Sequence, residues 1–126
     1  VGYGFGETEV TNGTAIDETA MYVKYTYGSL TVGYQMNEAD GPTAASDLDF
    51  TAWGVTYAVT DDFTVGYNTS ESDNANDADV QEATTIGASY TSGGITVGGS
   101  LNSVDNVGFD ASADRDGYEF NIAFAF

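Results

Sequence analysis

Gly117-Tyr118-Glu119-Phe120-Asn121-Ile122-Ala123-Phe124-Ala125-Phe126 is the stretch that decides the fold. Tyr118, Phe120, Ile122, Phe124 and Phe126 are large and apolar, and the residues between them are small or polar. A strict period of two marks a strand with two different faces. The apolar face here runs to an aromatic ring at the last position. In water an exposed aromatic at a fraying end gains nothing. Against lipid the same pattern has a cause.

Upstream, the design repeats. Val1, Tyr3 and Phe5 alternate with Gly2, Gly4 and Gly6, so the sequence reads as starting within a strand that reaches about Thr8. A polar stretch over 9–18, with Asn12-Gly13, reads as a loop. Thr19, Met21, Val23, Tyr25 and Tyr27 form one face of a second strand, and Gly28-Ser29 is a hairpin turn. Leu30, Val32, Tyr34 and Met36 continue that face, and a polar loop follows over 38–47 with the one proline, Pro42. Thr51, Trp53, Val55, Tyr57 and Val59 lead through Thr60-Asp61-Asp62 to Phe63, Val65, Tyr67 and Thr69. Thr84, Ile86, Ala88 and Tyr90 lead through Ser92-Gly93-Gly94 to Ile95, Val97, Gly99 and Leu101. Acidic loops over 72–81 and 104–116 separate the hairpins. The expectation is an all-β chain of about eight antiparallel strands, with short turns at one end and longer polar loops at the other.

Composition narrows the function. Lys plus Arg number 2 against 20 Asp plus Glu, a formal net charge of −18. No basic surface exists for nucleic acid, nor a polybasic patch for an anionic membrane face. Aromatic content of 13% speaks against acidic disorder. There is no Cys and no His, which removes thiol nucleophiles, disulfides and His-based acid–base or zinc chemistry. No nucleophile–base pair stands out, so the chain does not read as an enzyme. No apolar run approaches the roughly 20 residues of a membrane helix, whereas tilted strands of about ten alternating residues match a transmembrane β-barrel. Tyr25, Tyr27, Tyr57, Phe63, Tyr90, Phe124 and Phe126 form an expected aromatic belt on the short-turn side.

Thr31-Val32-Gly33-Tyr34, Thr64-Val65-Gly66-Tyr67 and Thr96-Val97-Gly98-Gly99 recur, one per hairpin. With the terminal strand and the acidic loops, they resemble the C-terminal half of a Gram-negative general porin of the alphaproteobacterial type. The resemblance implies a barrel of about 16 strands, of which residues 1–126 are one segment lacking the first half and its constriction loop. It implies an outer-membrane homotrimer that passes small hydrophilic solutes, and a terminal Phe126 read by the outer-membrane assembly machinery. Two alternatives remain at this point. One is a complete eight-stranded barrel acting as an anchor or adhesion protein, and the other is a soluble secreted β-protein stabilised by Ca²⁺. The inward row is mostly Gly, Ala, Ser, Thr and Asn, with Lys24, Tyr22, Gln35, Phe50, Glu82 and Glu119 as bulkier exceptions. Such a wall is too thin to fill a closed eight-stranded interior.

Lys24, Gln35, Asn68, Glu119 and Asn121 are the expected pore-lining residues. Lys24 reads equally well as a free basic wall residue or as half of an ion pair. With the net acidity, weak cation preference is expected. Asp110, Asp114 and Asp116 alternate with other residues in a spacing that can wrap a hard cation such as Ca²⁺, although the distal bidentate Glu of a full loop motif is missing. Arg115 is expected to pair with adjacent loop acids.

Overall fold

A computed structural model of the chain describes residues 2–10, 14–43 and 47–125. Eight strands follow one another: β1 (Gly2–Val10), β2 (Thr14–Tyr27), β3 (Leu30–Asp40), β4 (Leu48–Ala58), β5 (Phe63–Asn74), β6 (Gln81–Ser92), β7 (Ile95–Asp105) and β8 (Arg115–Phe124). They form a single sheet in chain order, every ladder antiparallel. β1 and β8 are the two edges, and they do not pair with each other.

The ladders carry no break in parity. Residues directly opposite in an antiparallel pair share a face. From β8 backwards, Ile122 lies opposite Val97, Val97 opposite Tyr90, Tyr90 opposite Phe63 and Tyr57 opposite Leu30. Every large apolar set therefore falls on one surface. A one-residue slip in any ladder would flip a strand to the wrong side. Hairpin chemistry helps to hold the register. Gly28 (φ 56°) is the first residue of the β2–β3 turn, and Gly93 and Gly94 (φ 58° and 80°) together make the β6–β7 turn. These are the left-handed positions that two-residue hairpin loops require. Between β4 and β5, the Thr60 hydroxyl accepts from the amides of Asp62 (3.3 Å) and Phe63 (3.1 Å).

The strands are staggered. The ladder row that starts at Tyr27 and Leu30, beside the first turn, reaches β6 at Ala88 and β8 at Phe120. Those strands continue past the row to Ser92 and Phe124. The step is about one residue per strand, which at a rise of ~3.3 Å and a spacing of ~4.8 Å corresponds to a strand tilt of roughly 35°.

On the loop side the strands run further than the alternation suggests. The polar stretch 9–18 is not a long loop, because β1 continues to Val10 and β2 already starts at Thr14. β3 carries on to Asp40, β5 to Asn74 and β7 to Asp105. The physical reason is that the ladder needs only backbone groups, so it persists where the alternation of large apolar with small or polar residues has gone. Asn12-Gly13 and Phe126 lie outside the described residues.

There is no core. Among the described residues no side chain is buried, and the large apolar residues stand open on one face, Phe5 at 85% and Tyr118 at 86% exposure among them. Leaving such side chains in water forfeits about 1.5–3 kcal/mol each. An apolar patch of this extent marks an interaction surface.

Candidate lumen wall

The opposite face is concave and encloses a trough of about 740 Å³. Lys24, Gln35, Asn68, Glu119 and Asn121 all line it, so the five expected wall residues share one surface. Gly33, Gly54, Gly66, Gly87 and Gly98 supply one bare position on each of five successive strands, β3 to β7. Thr31, Thr56, Thr64, Thr85, Ser89 and Ser100 add small hydroxyl groups, and the boundary also includes Tyr22 and residues of the other parity such as Val23, Tyr34, Trp53 and Tyr67. Polar side chains here satisfy one another along and across strands. Thr26 and Thr31 hydroxyls are 3.0 Å apart, the Thr85 hydroxyl donates to Asn102 Oδ1 at 2.8 Å, and Gln35 Nε2 donates to Asn37 Oδ1 at 3.3 Å. The Asn121 amide lies over Gly98, where a Cβ would stand 2.5 Å from Oδ1.

Lys24 sits on β2 directly opposite Gly33, which is in turn opposite Gly54. Its side chain is exposed to the trough, and no ion pair reaches it among the described residues. Glu119 lies on β8, six strands away, opposite Ser100. Arg115 is the first residue of β8 and, among the described residues, forms no ion pair with the neighbouring loop acids. Glu82 is not an inward exception. It lies opposite Glu71 and Asp105, on the parity of Thr84 and Ile86, and so faces outward. Its misreading has a local cause, since Gln81 and Glu82 offer no apolar cue at the strand end.

The loop between β7 and β8 is built rather than slack. Val107 N donates to Ala113 O (2.7 Å), Ala113 N to Asp110 O (2.9 Å) and Asn106 N to Asp114 Oδ1 (3.1 Å). Asn106 and Phe109 adopt left-handed backbone (φ 55° and 64°). Asn106 Nδ2 also donates to Val80 O (2.7 Å), and Gly108 N to Gln81 Oε1 (2.8 Å), clasping this loop to the β5–β6 connection. Asp110 Oδ1 accepts from the Ser112 amide (3.0 Å) and hydroxyl (2.7 Å), and these bonds hold its carboxyl below the usual carboxylate range. The three expected cation ligands are thus dispersed. Asp110 serves Ser112, Asp114 serves Asn106, and Asp116 is in the β8 ladder opposite Ser103. No metal-competent cluster of three acidic side chains occurs among the described residues.

Two features of the outer face escape the sequence reading. A second aromatic group lies toward the loop side: Tyr34 opposite Trp53, Trp53 with its ring 5.3 Å from that of Tyr67, and Tyr118 on β8. Together with Tyr27, Tyr57, Phe63 and Tyr90 on the turn side, it brackets a band of Val and Ile. Beyond the second group, outward carboxylates lie directly opposite one another: Asp17 and Asp40, Glu38 and Asp49, Asp49 and Asp73, Glu71 and Glu82, Glu82 and Asp105. Two aromatic girdles around an apolar band are what a lipid-facing barrel wall presents.

No family model matches the chain, and no curated protein sequence matches it. A solved structure is similar in fold. It is a porin refined at 1.8 Å resolution, with a TM-score of 0.68, 17% identity, 92% of this chain covered and 49% of the porin chain. The chain therefore spans about half the length of that porin. It has a porin-like antiparallel β-barrel fold, here as an open eight-stranded sheet.

Proposed function

We propose that these eight strands are part of the wall of an outer-membrane porin of a Gram-negative bacterium, a water-filled channel for passive diffusion of small hydrophilic solutes and ions. The observation that carries the reading is the two-sidedness of one continuous sheet: an apolar, aromatic-girdled convex face and a concave face of Gly, Thr, Ser and Asn. Selectivity in such a pore comes from its diameter and the charges that line it.

Both sheet edges present unpaired backbone groups, which hydrocarbon does not tolerate. In this reading further strands complete a wall of about 16, of which residues 1–126 are the C-terminal half, of the alphaproteobacterial type. The bare trough favours a wide lumen over a filled eight-stranded one. The assembled protein is a homotrimer, and the C-terminal segment carrying Phe126 is what the assembly machinery reads. Weak cation preference follows from the acidic loops at the mouth, Asp77, Asp79, Asp110 and Asp114 among them. The test is conductance of the full-length protein in planar bilayers. Discrete channel steps with a reversal potential slightly on the cation side are expected. Vesicle insertion without conductance would favour an anchor instead, and anion preference would remove the selectivity assignment.

A further inference from the structure

Nearly all of the chain's negative charge is kept off the concave face. On strand positions of that face the charged residues are Lys24, Arg115, Glu18 and Glu119, two of each sign. The other described strand carboxylates face outward, and the remaining acids sit in the connections. Both cations of the sequence are thus on the inner wall of a chain whose formal net charge is −18. We propose that Lys24 is the specificity-determining residue of this wall, a cation without an ion pair among the described residues that favours small anions inside the lumen and opposes the cation preference of the mouth.

Position and surroundings support the assignment. Lys24 lies toward the turn-side end of β2 and lines the trough, whereas Arg115 opens β8 at the loop side and does not. Glu18 does not line the trough but an adjoining hollow with Gly4, Gly6 and Ala20, the two sharing Gln35. Glu119 shares the trough, but six strands separate it from Lys24. On the β3 side the wall across from Lys24 is Gly33 and then Gly54, so no side chain of these two ladder partners stands over the ammonium. A Cβ at Gly33 would meet nothing closer than Val23 O at 3.9 Å. A solvated lumen focuses the field of such a charge on passing ions. The outward acids act on the other side of the sheet, where lipid and headgroups lie, and salt screens them from the lumen over about a Debye length.

The inference rests on the porin reading, and one experiment separates the two. Full-length channels are reconstituted in planar bilayers under a KCl gradient, and reversal potentials are compared for wild type, Lys24→Gln, Lys24→Glu, Lys24→Arg and the outward control Glu82→Gln. Lys24→Gln is expected to raise the potassium-to-chloride permeability ratio about two- to fivefold, Lys24→Glu further, and Lys24→Arg and Glu82→Gln not at all. Amine acylation of folded wild-type protein, with modification at Lys24 verified by peptide mass, gives the same shift without depending on a variant that folds. No conductance in the wild type would overturn the porin reading and this inference with it. Conductance with an unchanged reversal potential in Lys24→Gln, Lys24→Glu and the acylated channel, or an equal shift in Glu82→Gln, would overturn the inference alone.

Discussion

Gly94 stands at φ 80°, and a Cβ added there would come within 3.0 Å of Ala125 O, while its own carbonyl accepts from Ala125 N at 2.8 Å. Gly94→Ala therefore strains both the β6–β7 turn and the docking of the end of β8. The expected loss is about 1–2 kcal/mol, read from the unfolding midpoint in detergent, with Ser92→Ala as a mild comparison. Asp110 offers a pH signature of the loop. A carboxyl held below its ordinary value favours the ordered loop at any pH above that value, and the benefit fades as pH falls through the lowered titration. Ser112→Ala removes the hydroxyl donor and leaves the amide, so the Asp110 titration measured by carbon NMR moves part of the way back up. A midpoint unmoved by Ser112→Ala would contradict the hydrogen-bond cause. Facing and depth of single residues were mostly legible, because the alternation of Phe63, Val65 and Tyr67 or of Tyr118, Phe120 and Ile122 assigns them. Lys24 was legible as inward but its pairing was not, since that depends on which side chains the ladder register brings beside it.

Elements were read well where the two faces contrast in polarity and poorly where they do not. The turn-side ends of β2, β3, β5 and β7 coincide with the end of the apolar period, whereas β6 runs two residues past Tyr90 to Ser92. On the loop side both faces meet water, the period dissolves, and nothing in Glu9–Glu18 announces that its ladder continues. The acid pairs on these extensions are a further consequence. Like charges directly opposite on a ladder repel, and Glu82 has two such neighbours, Glu71 and Asp105. Glu82→Gln should stabilise by about 0.2–1 kcal/mol at low ionic strength, with the gain shrinking in 1 M salt as screening removes the repulsion. A salt-independent effect would mean that packing, not charge, is responsible. The clasp between the two loops is testable by hydrogen exchange. Asn106→Ala deletes the donor to Val80 O and a residue suited to left-handed backbone, and should cost the β7–β8 loop about 1–2 kcal/mol of local protection while leaving the mid-strand amides of β6 and β7 unchanged.

At the scale of the whole molecule, stability cannot reside in a core, because none of the described side chains is buried. The sheet depends on its surroundings for hydrophobic stabilisation. The full-length protein is expected to hold a β-sheet circular dichroism spectrum in detergent micelles or vesicles and to aggregate when the amphiphile is removed, as size-exclusion chromatography would show. A monodisperse, detergent-free species with the same spectrum would contradict the lipid-facing assignment. The stagger of the strands has one more consequence. Hydrogen-bonded rows do not run level around a tilted wall but wind along it like the thread of a screw. The row through Lys24 passes Gly33, Gly54, Asn68, Thr85 and Asn102 to Gly117, and each step along it is also a step in depth. A solute travelling down the axis would meet these groups one after another, from successive points of the compass, as a spiral staircase of polar footholds rather than as a single collar.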